Sequence, residues 1–232
     1  MIIVGNDKKL WNFTFSVTVG DSENLELGLS VISGSSVVID WGDGNKDTIT
    51  YSAGDYELIS NTYISAGTYD IIIKDSINLY GFYYADNISI TFNSINYPRR
   101  LTYFYCTGSN TISGDVTNLP SGLTTFYCTG SNTISGDVTN LPSGLTYFRC
   151  TGSNTINDYT SPTIFSVSIT YFLLLPVGGL SETEVDNLLI DLDASGMSSG
   201  TINISGNNAA RTAASDAAVT SLQGKGVTVT TN

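Results

Sequence analysis

The sequence predicts a mostly β chain: a small β-sandwich over residues 1–78, then a solenoid of stacked strands over 79–232 with a parallel sheet and two C-terminal helices. Three observations carry this. Short runs of alternating apolar and polar residues, separated by turn residues, fill the first third. A 22-residue unit then recurs almost unchanged: LTYFYCTGSNTISGDVTNLPSG starts at Leu101 and again at Leu123, with Tyr103 against Thr125 as the one difference. Finally, Ser181-Glu182-Thr183-Glu184 stands before the apolar run VDNLLIDL, the signature of a capped helix.

The first block begins with WNFTFSVTV, whose alternation places Trp11, Phe13, Phe15, Val17 and Val19 on one face. LELGLSV repeats the pattern through Leu25, Leu27, Leu29 and Val31. SSVVIDWGDGNKDTITY reads as a strand entering and leaving a tight Gly-Asp-Gly turn. NTYISAGTYDIIIKD adds a turn at Ala66-Gly67 and a strand from Tyr69 to Ile73. Strands at roughly ten-residue spacing suggest a small sandwich. The acids Asp40, Asp43 and Asp47 are weak candidates for a cation site; the competing reading is that they cap the turn through backbone hydrogen bonds.

In the second block, Leu101, Leu123 and Leu145 align, as do Asn110, Asn132 and Asn154. One period earlier, Leu79, Phe82 and Tyr84 fit the same pattern, with Pro98 matching Pro120 and Pro142, so a degenerate first repeat is expected at 79–100. Further on, Ile169, Phe172 and Leu174, then Ile202, Ile204 and Asn207, then Val227, Val229 and Asn232 continue it. About seven turns are expected, the outer ones diverged. The later turns are longer because they hold helices. Ser181 is expected to cap the first, with Val185, Leu188, Leu189 and Leu192 facing the strands. A second is expected to be capped near Ser215 and to stop at Gly224.

Two resemblances follow from these motifs. Val38-Ile39-Asp40-Trp41-Gly42-Asp43-Gly44, followed by Tyr63-Ile64-Ser65-Ala66-Gly67-Thr68-Tyr69, resembles a PKD-type immunoglobulin-like domain over about residues 9–78. The repeats over 79–232 resemble a leucine-rich repeat solenoid, although their Asn stands four residues after Cys where that family's usual spacing is three. The first resemblance implies a spacer or binding module, and the pair together suits surface proteins of bacteriophage particles or of bacteria.

Composition narrows the function classes. The chain has 232 residues, 41% hydrophobic and only 13% charged, which implies an ordered core. Its net charge of −12 argues against nucleic acid as a partner and against an electrostatic hold on anionic membranes. No apolar run reaches membrane-spanning length, so no membrane insertion is expected. The opening MIIVGNDKKLWNF shows no signal-peptide pattern, so no secretory address is expected unless a signal has been removed. The absence of His removes the commonest general base and zinc ligand together, and no cofactor is expected.

Strand alternation in each repeat sends Phe104 and Cys106 inward. Cys106, Cys128 and Cys150 are therefore expected to form a buried ladder of small apolar residues, not a disulfide or metal site. Three outward rows result: Gly81, Tyr103, Thr125, Tyr147, Tyr171; then Tyr83, Tyr105, Tyr127, Arg149, Leu173; then Ala85, Thr107, Thr129, Thr151, Leu175. Exposed tyrosines offer flat apolar area with a polar tip, suited to a sugar or a protein partner. Tyr83, Tyr103, Tyr105, Tyr127, Tyr147, Arg149 and Tyr171 are thus the candidate ligand-binding residues. Duplicated acids such as Asp115 and Asp137 lack the two unlike environments that a catalytic pair needs, so no enzyme is expected. The expected function is a non-enzymatic virion surface component (head fibre, decoration or tail-associated protein) that attaches to other virion proteins or to copies of itself and binds a host glycan or protein. The alternative is a secreted or cell-surface bacterial adhesin. The strand at Val227–Thr231 is expected to present an open edge, which favours assembly.

Overall fold

The computed structural model describes residues 12–50, 56–84, 89–91, 98, 100–107, 111–162, 165 and 168–232. Trp11, Ala85 and Asn110, each assigned a place above, lie outside them.

The N-terminal strands are β1 (Phe13–Val19), β2 (Glu23–Val31), β3 (Ser36–Asp40), β4 (Lys46–Thr50), β5 (Glu57–Tyr63) and β6 (Gly67–Lys74). Their alternation is real: Phe13, Phe15, Val17 and Val19 of β1 and Leu25, Leu27, Leu29 and Val31 of β2 are all buried. All pairings among the six are antiparallel, β1 with β6, β3 with β6 and β4, and β2 with β5. The two sheets they form face one another. Phe13 and Phe15 meet Phe82 edge-on across the core, with ring centroids 5.6 and 5.5 Å apart.

Next come β7 (Leu79–Tyr84) and β8 (Ser89–Thr91), which splice this antiparallel unit to a solenoid. β7 pairs antiparallel with β2 and parallel with β9 (Tyr103–Cys106). β8 does the same between β1 and β10 (Thr111–Asp115). Both sheets therefore continue from the antiparallel unit into the solenoid without a break, one through β7 and the other through β8, and one apolar cluster extends from Phe13 to Val227. The splice has a physical reason: the first coil of a solenoid would otherwise expose two strand edges, and β2 and β1 cover them.

The solenoid proper has about three turns. β9 and β10 form the first, β11 (Thr125–Cys128) and β12 (Thr133–Asp137) the second, and β13 (Tyr147–Cys150) and β14 (Thr155–Asp158) the third. Equivalent residues align strictly across β9, β11 and β13. Phe104, Phe126, Phe148 and Phe172 stack in a column, with centroids 5.5, 5.7 and 5.1 Å apart. Beside it runs the expected ladder of Cys106, Cys128 and Cys150, all buried. Leu101, Leu123, Leu145, Ile112, Ile134 and Ile156 complete the core.

Polar residues stitch coil to coil. The hydroxyls of Thr102, Thr124, Thr146 and Thr170 donate to Tyr80 O, Thr102 O, Thr124 O and Thr146 O at 3.1, 3.1, 3.1 and 3.3 Å. Asn132 and Asn154 are fully buried; their amides donate to Thr151 O and, at 3.1 Å, to Leu175 O. Buried backbone carbonyls need such partners, which explains the recurrent Asn. The duplicated acids cap short helical turns: Asp115 accepts from Thr117 N at 2.9 Å and Asp137 from Thr139 N at 2.7 Å.

Beyond the third turn, β15 (Tyr171–Leu174), α1 (Glu182–Ala194), β16 (Gly200–Asn203), α2 (Asp216–Gly224) and β17 (Val227–Thr230) alternate strand and helix. Seven parallel strands, β7 to β17, do lie side by side at the expected positions. Only three of these coils, however, have complete second strands of their own between the splice and the helices. The second parallel sheet, β8-β10-β12-β14, was not anticipated. TISGD is short and contains Gly and Asp, so locally it reads as a loop; it becomes a strand because identical neighbours supply its hydrogen bonds. Around α1 the capping box is present, with Glu184 N donating to Ser181 Oγ and Ser181 N to Glu184 Oε2. Ser215 departs from expectation. It begins α2, but its hydroxyl donates to Asp186 Oδ1 at 2.6 Å instead of capping. The stop at Gly224 is as expected.

Candidate functional site

The outward face of the nine-stranded sheet carries the candidate residues. From β7 to β15 its described outward positions hold Gly81 and Tyr83, Tyr103 and Tyr105, Thr125 and Tyr127, Tyr147 and Arg149, Tyr171 and Leu173. None is acidic, in a chain of net charge −12. All seven candidate residues therefore share one face.

Their rings stack in one oblique line. Tyr83 and Tyr105 have centroids 6.3 Å apart, Tyr105 and Tyr127 4.2 Å, Tyr127 and Tyr147 6.1 Å, and Tyr147 and Tyr171 4.4 Å. The line crosses from one row to the other between Tyr127 and Tyr147, because Thr125 interrupts the first row and Arg149 the second. Strand spacing of about 4.8 Å explains why directly adjacent rings stack. The rings at 4.2 and 4.4 Å cover each other's faces, while Tyr105 remains 37% exposed. Tyr103 differs: it is 41% exposed and has no ring contact among the described residues.

Tyr56 extends the line and was not recognised from sequence. Its ring stacks on Tyr83 at 4.7 Å, across β2. Gly28 of β2 lies beneath both: a Cβ there would stand 2.9 Å from Tyr56 Cδ2 and from Tyr83 Cβ. Exposed Leu58 follows Tyr56 on β5, opposite Gly28. The signal for Tyr56 is three-dimensional, since it belongs to no repeat.

Arg149 is the cation of the face. Its guanidinium carbon lies 5.1 Å from the Tyr127 centroid, a cation–π contact. Lys46, Lys74, Arg211 and Lys225 are each paired with an Asp, whereas Arg149 has no carboxylate partner among the described residues. Its Nε is shielded and lacks a hydrogen-bond partner. Burial and then the neighbouring Tyr127 push the Tyr105 phenol up, and burial and then Tyr171 push Tyr147 up, while Arg149 pulls Tyr147 partly back by a hydrogen bond and its charge, and Tyr105 by its charge. These hydroxyls accordingly stay protonated, as donors and acceptors, at neutral pH.

The other candidates are occupied elsewhere. Asp43 accepts from Asn45 N at 2.9 Å and Asn61 Nδ2 at 2.7 Å, and Asp47 from Trp41 Nε1 at 2.7 Å. Asp40 is paired with Lys46 at 3.1 Å and Lys74 at 3.4 Å; the Lys46 hydrogen bond leads the contacts that lower its carboxyl. The three acids point to different donors around the turn and do not converge. At the edge of the second sheet, a hydrogen bond with Glu184 raises the exposed Asp158 carboxyl. Burial pushes Glu184 up, but hydrogen bonds led by those from Ser181 outweigh it and hold it low. This pair is bound into the α1 cap. Comparisons with protein-family models, curated proteins and solved structures found no match to this chain.

Proposed function

We propose that this chain is a non-enzymatic surface component of a bacteriophage particle, a head fibre, decoration or tail-associated protein, that binds a host-surface glycan through its tyrosine face. The observation that carries the binding role is the unbroken ring line Tyr56–Tyr83–Tyr105–Tyr127–Tyr147–Tyr171, whose stretch from β7 to β15 has no carboxylate at the outward strand positions. Tyrosine hydroxyls along one line suit the hydroxyls of a saccharide, and aromatic rings suit its C–H faces. The virion assignment rests on the resemblance of the WGDG turn with its YISAGTY segment to PKD-type immunoglobulin-like domains, and of the repeats to leucine-rich repeats. Such modules would join a docking unit to a binding face. The acids being engaged in turns and helix caps supports a role without catalysis.

Two measurements test this. Quantitative proteomics and immunogold labelling of purified particles should find the chain on the virion; labelling of the bacterial surface with clean virions would favour the adhesin. A glycan array probed with wild type and with Tyr105→Ala/Tyr127→Ala should show hits that the double variant loses. Hits retained by that variant would remove the face from the reading.

A further inference from the structure

Register places Tyr103, Thr125 and Tyr147 side by side on three consecutive strands. Adjacent tyrosines close up, as Tyr147 and Tyr171 do at 4.4 Å, and leave no space between rings. Tyr103 and Tyr147 are two strands apart, so their backbones lie about 9–10 Å from each other. Thr125 between them is short. That spacing leaves a notch between Tyr103 and Tyr147, floored by a hydroxyl-bearing residue and bordered by Tyr127, whose ring lies 6.1 Å from that of Tyr147; two strand spacings leave room for one six-membered ring. Every other coil from β9 to β15 fills this position with Tyr.

The notch has a charged corner. Tyr127 follows Thr125 two positions along the same face of β11, and Arg149 follows Tyr147 in the same way on β13. The guanidinium over Tyr127 is thus the cation nearest the notch in register, and no carboxylate from the face or elsewhere among the described residues pairs with it. A planar guanidinium matches a carboxylate through two parallel N–H donors, and such charge-assisted bonds are roughly twice as strong as neutral ones. A neutral sugar would leave this capacity unused.

We propose that the Thr125 notch is a subsite for a pyranose bearing a carboxylate, with Tyr103 and Tyr147 as walls and Arg149 as the anion contact. This rests on the saccharide-binding reading above and narrows it to acidic sugars. Arg149 sets specificity, and Thr125 provides the space.

The test is isothermal titration of the full chain with two matched pairs: oligogalacturonate against its methyl ester, and 3′-sialyllactose against lactose. In at least one pair the acid should bind tenfold or more tightly than its neutral partner. Arg149→Gln should reduce the acid's affinity to that of the neutral form. Thr125→Tyr, which writes in the residue the neighbouring coils carry, should keep the melting temperature and abolish both. Equal affinity within both pairs, or a preference that survives Arg149→Gln, overturns the acidic-sugar assignment and leaves saccharide binding standing. Binding unaffected by Thr125→Tyr overturns the subsite. No binding of any saccharide on these pairs or on the array overturns both readings. An oligoglutamate peptide titrated in parallel should be silent; if it alone binds, the partner is an acidic peptide and the sugar assignment fails.

Discussion

Tyr105 and Tyr127 sit at the same position of successive coils, and their rings stack 4.2 Å apart at an interplanar angle of 21°. Arg149 covers Tyr127 from the next coil. The face is therefore self-supporting, each ring being part of its neighbour's environment. A double-mutant cycle of Tyr105→Ala and Tyr127→Ala, read by chemical denaturation, should return a coupling of about 0.5–1.5 kcal/mol. Strict additivity would mean that the rings stack without stabilising one another.

The buried thiols should be inert. Burial raises the thiols of Cys128 and Cys150, so little thiolate forms at neutral pH. A thiol reagent should modify none of Cys106, Cys128 and Cys150 in the native protein and all three in denaturant. Cys128→Ser, which puts a stronger polar group into the same apolar space, should cost about 1–3 kcal/mol.

Asn132 should matter more than an exposed polar residue. Its side-chain amide donates to Thr151 O, and its carbonyl accepts from Cys150 Sγ at 3.8 Å. Asn132→Ala removes this donor from the Thr151 carbonyl and the acceptor from Cys150, and the expected loss is about 1–3 kcal/mol by urea unfolding.

Acid should loosen the helical end. Asp186 is buried and accepts from Thr212 N at 3.0 Å, Thr212 Oγ1 at 2.5 Å and Ser215 Oγ at 2.6 Å. Burial pushes its carboxyl up, but the hydrogen bonds, led by those of Ser215 and Thr212, outweigh it and hold it below 3.8. A depressed carboxyl stabilises the fold above its unfolded value and loses that contribution as pH falls through the folded one. Asp186→Asn should therefore be less stable than wild type at pH 7, and the gap should narrow below about pH 4.

Alkali should act through Tyr63. This residue is fully buried, and its hydroxyl donates to Trp41 O at 3.0 Å. Burial raises its phenol from 10.0 to about 12. The raised group contributes stability that is complete below pH 10 and lost as pH rises through about 12. Tyr63→Phe should be weaker by about 1 kcal/mol at pH 7, through the lost hydrogen bond, and should lose less than wild type between pH 9 and 11. Parallel loss in the two proteins would assign the alkaline transition to other groups.

How much of this was legible depends on the range of the interaction. The placement of Phe104, Cys106 and their equivalents follows from a period and an alternation, both one-dimensional properties of the chain, and the seven strands followed with them. The α1 cap was equally local. Ser215 was misread because Asp186, which takes its hydroxyl, comes from a different helix. The strand character of TISGD was invisible for a related reason: it depends on neighbouring copies for its hydrogen bonds.

By itself, then, the sequence determined the core of each coil, the outward direction of the tyrosines, and the one coil in which Thr125 takes the place of Tyr. Only the tertiary structure decided that the antiparallel strands continue directly into both parallel sheets, that Tyr56 joins the ring line across Gly28, and that Tyr103 has no ring contact among the described residues. The reason is that periodicity specifies which side of a strand a residue leaves from, whereas ring contacts and strand edges depend on which strand lies alongside. That is settled by the whole packed sheet.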